Sequence, residues 1–341
     1  MFTYLLFLRG TNKDLALFEF DCLWKTYFSL KYEIILLQNK AYVLKTEQNI
    51  TGSEQFLVRS SGIIFFSKVI YSGPSLDEFS IQFKQKVSEY EGKSFVVRIR
   101  KARKNQDLKQ YSESELAKPI WNCFKQPKVD LEHPQLLFVF VFLENTNDFY
   151  VCEQLFENEK EYLERMPKFR PVKMPYTLKA DLARSCINLL CLEKGLVLDP
   201  FAGIGGILLE AADMGFQVVS NDISWNDVKY MQQNFDYYFP NVTPLRILAD
   251  SRTQFLKPET IDGIVTDIPY GRCSRKLGID LYEQYLQSAQ LYLKKGKRMI
   301  VIYANFVEFK SLALKYFTQV TEIEQYINKS MTRYILVLEK N

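Results

Sequence analysis

The chain holds a single histidine, His133, among 341 residues. Serine-triad chemistry, papain-like chemistry and most catalytic zinc sites each need a well-placed imidazole. Those classes are therefore set aside, and no metal is expected. His133 precedes Pro134 in a stretch that reads as a surface loop. The six cysteines (Cys22, Cys123, Cys152, Cys186, Cys191, Cys273) form no C-x-x-C pair, which argues against a zinc knuckle or a disulfide framework. No apolar run is long enough to span a bilayer. The opening MFTYLLFLRGTNKD has neither a basic lead-in nor a small-residue cleavage pattern, so it reads as a first strand, and a cytoplasmic protein without a membrane partner is expected. The net charge is only +4. Any nucleic-acid surface must then be a local patch rather than a property of the whole molecule.

What is present is a globular composition, 47% hydrophobic and 25% charged, long enough for two or three domains. The first part, 1–72, alternates strand and helix patterns. Residues 3–8 read as a strand, Asn12 caps a helix with apolar Leu15, Phe18, Cys22 and Leu23, and strands 33–38 and 41–46 meet across Asn39-Lys40. A short helix near 53–60 and a strand at 63–71 complete a β-α-β-β-α-β order, the ferredoxin-like pattern. A second part, 73–157, opens on the capping box Ser75/Glu78. It continues with strand 94–104, a helix around 112–124, and strands 136–143 and 149–156. In 94–104, Phe95, Val97 and Ile99 face one way while Arg98 and Arg100 face the other, with Lys101, Arg103 and Lys104 extending the basic side. That run is either a solvated edge or a phosphate-contacting RNA surface. Residues 158–175 read as a linker.

From Tyr176 onward short apolar strands alternate with helices, which implies a mostly parallel, doubly wound sheet of about seven strands. Ligands of such sheets sit beyond the carboxyl ends of the strands, and there LVLD, QVVSND, LRILAD and GIVTD end on Asp199, Asp222, Asp250 and Asp267. The glycine turn Asp199-Pro200-Phe201-Ala202-Gly203-Ile204-Gly205-Gly206 lets backbone approach a ligand, and Asp222 can accept both hydroxyls of a ribose. Dinucleotide enzymes share that feature, so a nicotinamide cofactor stays open on these residues alone. The acid at the strand end, however, suits a cationic amine better than a pyrophosphate. Asp250 can accept an adenine amino group or be a solvated strand-end acid. After the fourth strand comes Asp267-Ile268-Pro269-Tyr270-Gly271. A carboxylate and a backbone carbonyl that accept both hydrogens of an exocyclic amine, beside an aromatic ring that fixes the base, fit methylation of that poor nucleophile.

DPFAGIGGILLEA, SND, AD and DIPYGR, with PVKMPYTLKADLARSCINL ahead of them and VVRIRK earlier, resemble the archaeal and eukaryotic tRNA guanine-10 N2-methyltransferases over nearly the whole chain. The resemblance implies an α/β Rossmann-like methyltransferase domain at 176–341, preceded by the ferredoxin-like part and a THUMP RNA-binding module. S-adenosylmethionine is the implied methyl donor, held by Asp199, Pro200, Phe201, Gly203, Gly205, Asp222, Ile223, Asp250 and Ser251. Asp267, Ile268, Pro269 and Tyr270 would hold the guanine, and tRNA is the implied partner. Eukaryotic relatives need a small activating subunit and archaeal-type relatives act alone; a small activating subunit stays open as a partner here, and a monomer is expected. The sequence departs from the family at Ile268, where D-P-P-Y is usual, and at Ala202 and Ile204, where cysteine and threonine are usual. Two other readings compete: an amino methyltransferase for another base or for glutamine, and a catalytically silent RNA-binding relative.

Overall fold

The computed structural model describes residues 1–102, 108, 110–143, 148–175, 177–270 and 278–341, apart from the side chains of residues 36, 37, 278 and 279. The chain divides into two compact units, and it passes between them more than once. Unit 1 comprises Met1–Lys13, Ser29–Val58 and Ile63–Asn158; unit 2 comprises Asp14–Phe28, Arg59–Gly62 and Glu159–Asn341.

Unit 1 is built on strands β1 (Phe2–Leu8), β2 (Tyr32–Gln38), β3 (Ala41–Thr46), β4 (Ile63–Gly73), β5 (Ser94–Lys101), β6 (Lys128–Val129), β7 (Leu136–Phe142) and β8 (Phe149–Glu157). They form one sheet in the order β2-β3-β1-β4-β8-β7-β5-β6, so strands of 1–72 and of 73–157 share a single sheet through the β4–β8 pairing. The β2–β3 hairpin turns at Asn39, which takes φ +51°, the left-handed region that asparagine tolerates. Of the helices, α1 (Lys13–Tyr27) is the helix read after Asn12, and α2 (Leu76–Lys86) and α3 (Glu113–Trp121) cover the part of the sheet nearest β5 and β7. Ser75 caps α2 by accepting the Glu78 N–H at 3.2 Å. The segment at 53–60 is a 3-10 turn, Glu54–Arg59, rather than an α-helix. Phenylalanines dominate the core here: Phe79, Phe83, Phe95, Phe138 and Phe140 are fully buried, and Phe83 and Phe138 meet edge-on with centroids 5.5 Å apart.

Unit 2 carries β9 (Leu196–Asp199), β10 (Gln217–Asp222), β11 (Leu245–Leu248), β12 (Ile261–Asp267), β13 (Leu293–Ala304), β14 (Thr318–Asn328) and β15 (Met331–Glu339). Its helices are α4 (Ala180–Asn188), α5 (Gly206–Asp213), α6 (Trp225–Tyr238), α7 (Gly278–Tyr292) and α8 (Lys310–Ala313). The sheet order is β11-β10-β9-β12-β13-β15-β14, parallel except where β15 runs against β13 and β14. Alternate residues divide between two apolar layers. Val197, Val218, Val265 and Ile300 face α4, α5 and α6, while Leu198, Val219, Ile264 and Val301 face α7 and α8. The first layer also takes Leu15 and Cys22 of α1, which explains why this helix belongs to unit 2 although its neighbours in sequence do not. Its Glu19, fully buried, accepts hydrogen bonds from Ser60 Oγ, the N–H groups of Ser61 and Gly62, and Asn188 Nδ2. Gly62 is required at that crossing, because a Cβ there would lie 2.6 Å from the Ala16 Cβ.

Residues 160–175 are packed within unit 2. Arg165 and Arg184 converge on the buried Glu210 of α5, at 2.9 and 3.2 Å, and both reach Asp213 at 2.6 Å. No described helix is long and apolar enough to cross a membrane. Removing one member of a buried ionic cluster leaves the others desolvated and only partly paired. Glu210→Ala is therefore expected to lower unfolding stability by about 3 kcal/mol, the lower end of that class because Asp213 still pairs both guanidinium groups. Chemical denaturation checks this, and an unchanged midpoint would show that the cluster contributes nothing.

Candidate active site

The site is assembled at the carboxyl edge of four neighbouring parallel strands, β11, β10, β9 and β12. Asp199 ends β9, and its Oδ1 accepts the Phe201 N–H at 3.1 Å and the Thr266 hydroxyl of β12 at 2.7 Å. The chain then turns through Pro200 to Gly205. Gly203 and Gly205 take φ +49° and +84°, and a Cβ on Gly205 would sit 2.5 Å from the Met231 side chain of α6. The turn is tied to the next strand through Asn221, whose amide nitrogen donates to the Pro200 and Ala249 carbonyls and to Ser251 Oγ at 2.9 Å. Ser251 in turn donates to the Pro200 carbonyl at 2.6 Å. Asn221 lies beside Asp222 in the sequence without a motif of its own; its full burial and its position in S-N-D at a strand end are the signal that marks it.

Asp222 ends β10. One carboxylate oxygen accepts the Gly203 N–H at 2.8 Å and the other the Ser224 N–H at 2.9 Å. Ile223 and Trp225 beside it are exposed, as is Leu248, which pairs with Asp222 in register. Apolar surface thus flanks the carboxylate. Asp250 lies two residues beyond β11 rather than on it, and Arg252 clasps both of its oxygens, with Nε at 3.0 and 2.9 Å. That guanidinium holds the Asp250 carboxyl below its ordinary range.

Asp267 ends β12 and receives the Tyr270 hydroxyl on Oδ1. The Tyr270 ring meets the exposed Phe306 edge-on at 6.2 Å. Ile268 donates its N–H to the Ile302 carbonyl at 3.1 Å, and its side chain is buried in the α7-side layer. The Pro269 carbonyl accepts the Tyr282 hydroxyl at 2.8 Å. No local motif in the sequence marks Arg333 of β15. It attracts the charge of Asp267, and its Nε is buried with no hydrogen-bond partner among the described residues.

Electrostatics separates these acids. Burial pushes the Asp199 carboxyl up to about 7, against the pull of its Thr266 and Phe201 donors. Burial raises Asp222 as well, and it lifts Asp267 to about 6 although Tyr270 and Arg333 draw it down. Among the described residues, Asp199 and Asp222 form no ion pair with a basic side chain. A ligand carrying positive charge beside Asp199 and hydroxyls near Asp222, with an aromatic ring against Ile223 and Leu248, would satisfy what the protein leaves unsatisfied.

The basic strand is a separate matter, in unit 1. Arg98 donates to Glu113 and to the Leu131 carbonyl, each at 3.2 Å, and Arg100 pairs with Glu157 at 3.6 Å while lying over Phe65. Lys101 is exposed; Arg103 and Lys104 lie outside the described residues. His133 is exposed, its backbone N–H bonded to Asp130.

Two family models match: an RMKL-like methyltransferase domain over residues 167–334 and a DNA methylase over 23–233. The tRNA (guanine(10)-N2)-dimethyltransferase of Methanothermobacter thermautotrophicus is 32% identical over 261 residues, covering 74% of this chain and 75% of its own. The chain belongs to that family. The Methanocaldococcus jannaschii enzyme of the same name is 31% identical over 261 residues, 73% of this chain and 72% of its own. TrmN from Thermus thermophilus shares the fold over 99% of this chain and all of its own, with a TM-score of 0.53 at 17% identity. The chain is thus a methyltransferase of mixed α/β architecture, and S-adenosylmethionine is its methyl donor.

In this methyltransferase the raised Asp199 has a direct consequence. Its carboxyl is largely protonated below pH 7 and ionised above it, and only the ionised form attracts a cationic donor. Donor affinity measured by calorimetry is expected to rise roughly tenfold between pH 6 and pH 8. Asp199→Asn should abolish that rise, and a parental affinity flat across the range would remove Asp199 from the donor site.

Proposed function

We propose that this protein methylates the exocyclic N2 amine of a guanine in tRNA, at position 10, with S-adenosylmethionine as donor. The reading is carried by the Asp267–Tyr270 segment at the mouth of a methyltransferase sheet, in a chain whose curated relatives are named for that reaction. The donor supplies a methyl group on a positively charged sulfur. Asp199 and Asp222 hold its polar ends, Gly203 and Gly205 admit it to the backbone, and Ile223 with Leu248 covers its base. Pro200, Phe201 and Ser251 shape that turn, and Asp250 is available to the adenine amine only by sharing its carboxylate with Arg252.

The guanine amine is a weak nucleophile because its lone pair is delocalised into the ring. Asp267 and the Ile268 carbonyl accept its two hydrogens and direct the lone pair toward the methyl group. One proton must leave for each methyl group gained, and Asp267, lifted to about 6, is placed to receive it. Tyr270 works through its hydroxyl as well as its ring: it orients Asp267, while its ring and the exposed Phe306 offer aromatic surface to the base. Ile268 contributes backbone only, since its side chain is core. The family's proline at this position is thereby replaced by an anchor of a different kind, and Pro269 still biases the residue before it toward extended geometry.

Unit 1 is the RNA-recruiting part in this reading, with 1–72 as the ferredoxin-like and 73–157 as the THUMP-type module, and the enzyme acts as a monomer in the cytoplasm without an activating subunit. Arg98 and Arg100 then have a double duty, shaping the β5 surface through Glu113 and Glu157 while contributing positive potential. Lys101→Ala should reduce the salt slope of tRNA binding by about one unit and leave stability unchanged. Arg98→Ala should weaken binding and slightly lower stability, because Glu113 loses its guanidinium and keeps only the Ile99 N–H. Equal slopes for Lys101→Ala and the parent protein would assign that lysine to solvent.

The test of the chemistry is nucleoside mass spectrometry of unmodified tRNA incubated with protein and donor, which identifies the base and counts the methyl groups. Asp267→Asn is expected to slow single turnover at least about a hundredfold, with donor and tRNA affinities each within about threefold. A variant that methylates at the parental rate with saturating donor overturns the role of Asp267. Methylation on another base overturns the substrate.

A further inference from the structure

Outside the methyl-transfer site, unit 2 brings two cysteines and an arginine together from three distant stretches of chain. Cys22 lies on α1 and is 1% exposed. Cys191 follows the end of α4, is partly exposed, and takes φ +52°, the left-handed region. Arg298 of β13 places one guanidinium nitrogen, Nη1, 2.8 Å from Cys191 Sγ and 3.4 Å from Cys22 Sγ, with the Leu189 carbonyl at 3.1 Å. Both sulfurs thus meet the same guanidinium nitrogen, and Cys22 Sγ also lies 3.9 Å from the Leu189 carbonyl. None of the other described cysteines has this company. Cys152 and Cys186 are buried, and Cys123 faces Ser80.

A guanidinium gains little from neutral sulfur, a weak acceptor, and much more from a thiolate. The arrangement is also asymmetric: the sulfur nearer the arginine belongs to the partly exposed residue, Cys191, and the other to the buried Cys22. We propose that Cys22 and Cys191 are a peroxide-sensitive thiol pair, oxidised to an intrachain disulfide that joins helix α1 to the end of α4. The neighbouring Cys22 side chain and attraction from Arg298 favour the thiolate on Cys191, and the neighbouring sulfur together with burial pushes the Cys22 thiol up.

The steps balance. The Cys191 thiolate attacks one peroxide oxygen, the O–O bond breaks, and the departing hydroxide takes a proton to become water, leaving a sulfenic acid. Cys22 then attacks the Cys191 sulfur, the S–O bond breaks, and the departing oxygen leaves as a second water carrying the Cys22 proton. Two thiols lose two electrons, and one peroxide is reduced to two waters. Reduction by a dithiol reverses the change. The covalent link would fix an otherwise non-covalently docked helix in unit 2, so its effect reads out as stability rather than as chemistry at Asp267.

The full-length protein treated with stoichiometric hydrogen peroxide, blocked, and digested without reductant should yield a Cys22–Cys191 linked peptide, with the remaining cysteines alkylated. The melting temperature should rise by several degrees and return on adding dithiothreitol. Cys22→Ser should stop at a trappable Cys191 sulfenic acid, and Cys191→Ser should give no intrachain product. In the unmodified protein, the pH midpoint for iodoacetamide labelling of Cys191 should fall below the roughly 8.5 of a free thiol. Arg298→Gln should move that midpoint back up. Absence of the linked peptide overturns the proposal, and so does a labelling midpoint at or above that of a free thiol, a measurement needing no variant.

Discussion

At the carboxyl edge of the unit 2 sheet Arg252 clasps Asp250, but two neighbouring acids are left without a basic partner among the described residues. Asp199 and Asp222 stand on adjacent strands, held by backbone N–H groups and a threonine hydroxyl, with no basic side chain in an ion pair among the described residues. Hydrogen bonds of this kind fix where a carboxylate points without cancelling its charge. The surroundings follow from that constraint. Asn221 braces the two turns from within, Gly203 and Gly205 keep side chains out of the space, and the apolar layers on both faces keep the strand ends from relaxing toward water. The site is thus poised for a cationic guest at a cost that the rest of the sheet offsets.

The second acid centre is tuned differently. Asp267 has a phenol on one side and the Arg333 charge near it, and it is less deeply buried than Asp199, so its carboxyl sits lower. In the proposed function one centre would meet permanent positive charge and the other positive charge that grows during reaction. Two carboxylates of the same residue type are separated by burial and by their neighbours, and Thr266 next to Asp267 in sequence links the two centres through its bond to Asp199.

Features with a local cause were legible in the sequence. The Asn39-Lys40 turn, the Ser75 cap, the strands ending in acids and the glycine turn each rest on residues within a few positions of one another, where periodicity and capping act. Asp250 shows the limit of that reasoning: its strand stops at Leu248, and the clasp by Arg252 is only two residues away yet has no periodic signature. The sequence pattern marks Tyr270 as a stacking ring, whereas its hydroxyl turns back to Asp267 three residues earlier. Contacts across long separations left no trace. Arg98 meeting Glu113, Arg333 beside Asp267 and Arg298 between two thiols depend on strand register and sheet order, which no short window of sequence encodes.

Helix α1 belongs to unit 2, while the strands immediately before and after it belong to unit 1. Synthesis from the amino terminus releases this helix long before α4 and the strands of its layer exist. Its apolar stripe and the Glu19 carboxylate must then remain in water, or in temporary contacts, until the last half of the chain emerges. Neither unit corresponds to a contiguous stretch of the gene. A deletion series cut at the apparent boundary near residue 159 would strip the methyltransferase sheet of one of its covering helices, and a fragment beginning there would expose the surface that Leu15 and Cys22 otherwise seal.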